Sequence, residues 1–134
     1  MKHLLIAVLL TAFPTAGLAF DKAEALVQFN GYVEVCTRER GPDSLETCLT
    51  DQVDSVDNYL GDIVGEMTGY VSEPAAKLML DVQKAFEKYR YLTCTYEQAA
   101  HPEDEYAGLF CFLRLTEQRV ADVREGLDFA TTKP

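Results

Sequence analysis

Tryptophan is absent from the 134 residues, and histidine occurs only twice, at His3 and His101. A Ser-His-Asp or Cys-His system in a domain that starts after the first twenty residues would have to run through His101. That residue stands in an acidic stretch, His101-Pro102-Glu103-Asp104-Glu105. Basic residues are also scarce, with 12 Lys and Arg against 22 Asp and Glu, for a net charge of −10. Nucleic acid is a poor partner for such a chain, because neutralising phosphates takes Lys and Arg. An anionic membrane surface is disfavoured for the same reason. No apolar run approaches the roughly 20 residues that a membrane-spanning helix needs. Cysteine pairs of the C-x-x-C type are missing, which removes the usual zinc spacing. Acids abound, but nothing marks out two of them as a glycosidase pair. These absences predict a protein that is not an enzyme and holds no cofactor or metal.

The first twenty residues have the grammar of a secretory signal. Lys2 and His3 give a short basic start, Leu4 to Phe13 form an apolar run broken only by Thr11, and Pro14 ends it. Gly17-Leu18-Ala19 then supplies small residues where a signal peptidase reads them. The expected division is a signal over residues 1–19 and one domain over 20–134. Cleavage removes one basic and no acidic residue, leaving a net charge of −11. No cysteine stands at or just after the expected cut, so no lipid anchor is expected. The expected location is the periplasm or the medium.

All four cysteines, Cys36, Cys48, Cys94 and Cys111, follow that cut. An even count in a small exported domain predicts two disulfides. Cys36 and Cys48 are equidistant from Pro42, and Cys94 and Cys111 from the turn near Pro102. In an antiparallel helical hairpin, residues equidistant from the turn share a height and can reach disulfide range. The expected pairs are therefore Cys36–Cys48 and Cys94–Cys111. The other two connectivities stay open on sequence alone.

Apolar residues recur at helical spacing almost throughout. Ala25, Phe29, Tyr32 and Cys36 form a short first stripe. Arg38 to Ser44 is a turn with a Gly-Pro pair, and Asp43 with Glu46 predicts a capping box for the next helix. Leu45, Leu49, Val53, Val56, Leu60, Ile63 and Met67 stripe the second helix, which Gly69 is expected to stop. Ser72 and Pro74 open the third, with the stripe Ala75, Met79, Val82, Phe86, Tyr89, Thr93 and Tyr96. Leu109, Leu113, Thr116, Val120, Val123 and Leu127 stripe the fourth, and Thr131 to Pro134 read as a frayed tail. The expected fold is all-α: an antiparallel up-and-down bundle of three long helices and a shorter N-terminal one, with two disulfides. Gly61, Gly65 and Gly69 recur every four residues, marking either a close helix approach or a weak helix end.

Charge is distributed unevenly. Gly41 to Ala76 contains no Lys or Arg but eight acids: Asp43, Glu46, Asp51, Asp54, Asp57, Asp62, Glu66 and Glu73. Asp51, Asp54, Asp62 and Glu66 fall on the face of the second helix opposite its apolar stripe. They are either an ordinary solvated face or a docking surface for a cationic partner. Glu103, Asp104 and Glu105 are the second candidate contact.

The later half carries a recognisable pattern: Gln83-x-x-Phe86-x-x-Tyr89-Arg90-x-x-x-Cys94, then Cys111, then Thr116-x-x-Arg119. With Cys36, Cys48 and Tyr59 upstream, it resembles the signature of the LprI-type lysozyme inhibitor family, over roughly residues 35–127. Two positions depart from the family pattern. Phe86 stands where Trp is usual, and the acidic Glu103 to Gly108 replaces a Gly-rich stretch before the last cysteine. The resemblance implies an exported helical domain that binds lysozyme without catalysis. Its motif residues Tyr89, Arg90 and Arg119 are expected to be structural, with Tyr89 on the apolar stripe. The two arginines are expected to bond carboxylates such as Glu97 or Asp122, or helix-end carbonyls. The expected partner is a lysozyme or another cationic protein. The rival reading is a periplasmic interaction or envelope-stress module with a different protein partner, and a hydrolase comes third.

Overall fold

Four helices follow the apolar periodicity in a computed structural model that describes residues 22–132. They are α1 (Lys22–Arg40), α2 (Leu45–Thr68), α3 (Glu73–Ala100) and α4 (Ala107–Thr132). The expected signal peptide lies outside the described residues, as do positions 133 and 134. No strand occurs among the described residues, and no helix there is long and apolar enough to cross a membrane.

The turns follow from local chemistry. Gly41 ends α1 at φ 75°, a left-handed conformation that costs glycine no Cβ clash. The chain reverses through a 3₁₀ turn over Pro42–Ser44, which brings Cys36 and Cys48 to a Cα separation of 5.7 Å, where they are bonded. The N-cap of α2 is Ser44, without a side-chain cap hydrogen bond, so the capping box expected from Asp43 and Glu46 does not form. Gly69 closes α2, its N–H donating to the Glu66 carbonyl. Ser72 stands at the N-cap of α3, also without a side-chain cap hydrogen bond, and Pro74 lies in the first turn, where its missing N–H costs little. The expected fraying at Thr131 is not seen. Thr131 and Thr132 are helical, and their hydroxyls donate back to the carbonyls of Leu127 and Asp128.

Packing sets the order of the bundle. Leu49 and Val53 of α2 share a buried cluster with Leu113 of α4. Further along, Leu60, Ile63 and Val64 meet Val120 and Val123. These two helices therefore run in the same direction, with α3 antiparallel to both. Cys94 and Cys111, bonded with Cα atoms 5.4 Å apart, pin the α3–α4 hairpin. Gly108 lies so close to α3 that a Cβ there would stand 3.3 Å from the Cys94 carbonyl oxygen. Helix α1 lies across α2 and α4, with Ala25, Phe29 and Cys36 buried and the Phe29 ring edge-on to Phe110 at 5.7 Å. Leu49 and Leu113 are fully buried, and truncating either to Ala should cost about 2–5 kcal/mol.

Helix α3 departs from the expected stripe. Phe86 and Met79 face the core, but Val82, Tyr89 and Tyr96 are exposed, Tyr89 by 57%. Their places on the buried face are taken by Gln83, Arg90 and Cys94. Other helices supply partners for Arg90 Nη1 and Gln83 Oε1, as described next, whereas Arg90 Nε is buried without a hydrogen-bond partner among the described residues.

Candidate functional site

Two groups of residues compete for a functional role: the motif residues around Arg90, and the acids of α2 and the 103–105 turn. The motif residues converge inside the bundle. Arg90 is only 5% exposed, and its Nη1 donates to Asp57 Oδ1 on α2 and, at 2.9 Å, to Thr116 Oγ1 on α4. The Thr116 hydroxyl, fully buried, in turn donates a hydrogen bond to the Phe112 carbonyl at 2.7 Å. The Arg90 guanidinium carbon lies 3.8 Å from the centroid of the Phe112 ring and 5.1 Å from that of Phe86. Arg119 covers the same Phe86 ring at 5.9 Å, and its Nε donates to Gln83 Oε1 at 3.4 Å.

Gln83, Phe86, Arg90, Thr116 and Arg119 thus form one clasp between α3 and α4, tied to α2 through Asp57, by charge-assisted bonds and cation–π contacts. The expected bonds from these arginines to Glu97 or Asp122 do not form; their partners are Asp57, Thr116 and Gln83. Asp57 and Gln83 are nearer and come from facing helices. Tyr89 is not part of the clasp, and its ring lies outside the core. Asp57 and Phe112 complete the clasp, and neither stood out in the sequence. Asp57 was one acid among eight in its segment, with nothing local to mark it as the partner of an arginine 33 residues away.

The α2 acids lie on the outside. Asp51, Asp54, Asp62 and Glu66 are all exposed. Asp51 is paired with Arg40 of α1 at 3.2 Å, which offsets its charge. Asp54, Asp62 and Glu66 have no ion-pair partner among the described residues, and they project from one face of the helix. Gly61 and Gly65 share that face, and a Cβ on either would meet nothing within 4 Å. They therefore mediate no close helix approach, and they stand well inside α2 and do not end it. Together with Asp57, Asn58, Asp62, Leu80, Gln83 and Glu87 they line an open groove of about 630 Å³ between α2 and α3.

The acidic turn is built differently. The Asp104 carboxylate accepts the Tyr106 N–H at 3.0 Å, and its carbonyl accepts Gln98 Nε2 at 2.8 Å. Gln98 also accepts the Gly108 N–H at 3.0 Å, tying the turn to both helices. Asp104 is thus committed to holding the turn, whereas Glu103 and Glu105 stand in solvent. A backbone hydrogen bond holds the Glu103 carboxyl below the usual range, helped by His101 Nδ1 at 3.3 Å. Desolvation raises the Tyr106 hydroxyl, and the charges of Glu105 and Glu46 add to the shift. Among the described residues, no three His, Cys, Asp or Glu side chains are grouped to hold a metal ion.

The site that remains available for contact is an unpaired anionic face on α2, flanked by a groove. Comparison with family models, curated proteins and solved structures finds no match for this chain.

Proposed function

We propose that this is an exported, non-enzymatic binding protein whose α2 face docks a cationic protein, with a basic lysozyme as the leading candidate. One observation carries the reading. Asp54, Asp62 and Glu66 line one exposed face of a helix that contains no Lys or Arg, within a segment of 36 residues that has none either. Like charges at i, i+4 such as Asp62 and Glu66 cost a few tenths of a kcal/mol in an isolated helix, so the arrangement does not serve α2 itself. A fixed anionic surface steers a basic partner to encounter and disfavours acidic ones. The two disulfides belong to oxidising compartments, and the signal-like N-terminus agrees with export to the periplasm or beyond.

The resemblance to LprI-type inhibitors supplies the choice of lysozyme. A common animal lysozyme is basic and carries its catalytic carboxylates in an open cleft, which an acidic domain can block without chemistry of its own. The test is a cell-wall lysis assay with the purified oxidised protein and lysozymes of several classes. Slowed lysis at micromolar inhibitor is expected for at least one basic lysozyme. No slowing with any of them would overturn the lysozyme assignment and favour a different protein partner. Wall breakdown by the protein alone would overturn the non-enzymatic reading.

A further inference from the structure

The most regular apolar pattern of α3 faces away from the core. Leu78, Val82, Ala85, Tyr89, Leu92, Tyr96 and Ala99 step by four, three, four, three, four and three, the spacing of a coiled-coil seam. All seven are exposed, and the five large ones range from 51% to 69%. The helix is 28 residues long and the stripe occupies most of it. Large side chains of this kind present on the order of 100 Å² each when half exposed, so the stripe offers about 500 Å². That is at the upper end of what a monomer leaves in one patch.

Charge and shape both point to the occupant. Helix α3 carries four acids and four bases (Glu73, Asp81, Glu87 and Glu97 against Lys77, Lys84, Lys88 and Arg90), so it is neutral. Helix α2, by contrast, carries six acids and no base. Two copies of an acidic chain repel each other least through a neutral face. The stripe is also complementary to itself when reversed. In an antiparallel pair with the two seam positions facing each other, Leu78 meets Tyr96, Val82 meets Leu92, Ala85 meets Tyr89 and the half-buried Ala75 meets Ala99. Each bulky residue near the centre then faces a smaller one, as close packing requires.

We propose that the α3 stripe is a homodimer interface, in which two copies pair antiparallel through Leu78, Val82, Ala85, Tyr89, Leu92 and Tyr96. About 500 Å² from each copy is at the low end for specific complexes, so the dimer is a weak one, half formed at a concentration on the order of 10–100 µM. This interface is separate from the α2 face, and it stands or falls independently of the proposed partner.

Sedimentation of the purified oxidised protein over a concentration series tests it. The mass is expected to rise towards that of two chains by roughly 300 µM. Leu92→Glu should hold the protein monomeric over the same range, with its helical circular dichroism unchanged because Leu92 is exposed. Adding Val82→Lys to that variant should restore the dimer, since the introduced lysine of each copy then faces the introduced glutamate of the other. A wild-type protein that stays monomeric throughout, or a dimer indifferent to Leu92→Glu, would overturn the interface. A double variant that stays monomeric would overturn the antiparallel register on which the proposal rests.

Discussion

Asp51 and Asp57 are both acids of α2 paired with an arginine, and burial separates their roles. The Asp51–Arg40 pair is about half exposed on both sides, and such surface pairs are worth less than about 1 kcal/mol. The Arg90 side chain facing Asp57 is 6% exposed, so losing that carboxylate leaves a charge desolvated among aromatic rings. Asp57→Asn should therefore cost about 2 kcal/mol, the scale of a charged hydrogen bond. Asp51→Asn should cost under about 1 kcal/mol. Urea midpoints of the two variants check this, and equal midpoints would remove the clasp from the account. The helical glycines of α2 give a prediction of the opposite sign. Nothing lies where a Cβ would go, so Gly61→Ala and Gly65→Ala should each stabilise by about 0.5–1 kcal/mol through helix propensity. A rise in thermal midpoint is the readout.

At the scale of elements, the helices differ in how they are held and in how well the sequence foretold them. The stripes of α1, α2 and α4 were legible because their buried faces are apolar, and periodicity reads apolar faces directly. The α3 face was not, because Gln83 and Arg90 sit inward while Val82, Tyr89 and Tyr96 sit outward. Hydropathy cannot rank a buried arginine, whose partners Asp57 and Thr116 come from other helices. The acidic face of α2 was legible as a charge pattern, but the pairing of Asp51 with Arg40 and the turn-holding role of Asp104 depend on tertiary contacts. Helix α1 is attached through buried Ala25 and Phe29, the packed side chains of Tyr32 and Val33, the Gln28–Glu117 hydrogen bond, the Arg40–Asp51 pair and the Cys36–Cys48 disulfide. By the chain-entropy estimate that disulfide contributes about 3 kcal/mol. Replacing both Cys36 and Cys48 by Ala should speed amide hydrogen exchange in residues 22–40 well before α3 and α4 respond. Uniform loss of protection across the chain would show instead that α1 and the bundle unfold as one unit.

For the whole molecule, the central claim is that the α2 face and not net charge alone directs binding. Structure narrows the decisive variants. Asp51 is already paired with Arg40, and Glu117 accepts a hydrogen bond from Gln28, so neither belongs in a test of free charge. Asp54→Asn, Asp62→Asn and Glu66→Gln together remove the unpaired α2 charges. Asp122→Asn, Glu125→Gln and Asp128→Asn remove as many from exposed positions of α4. The measurement is the association rate constant with a basic lysozyme for both triples and the wild type, at 0.01 M and 0.15 M salt. Screening shortens from about 30 Å to about 8 Å between those conditions, so wild-type association should slow with salt while dissociation changes little. At low salt the α2 triple should associate several-fold more slowly than the α4 triple, and the gap should narrow at 0.15 M. Equal slowing by both triples would reduce the effect to net charge and contradict a docking face on α2. No slowing in either would contradict electrostatic docking altogether.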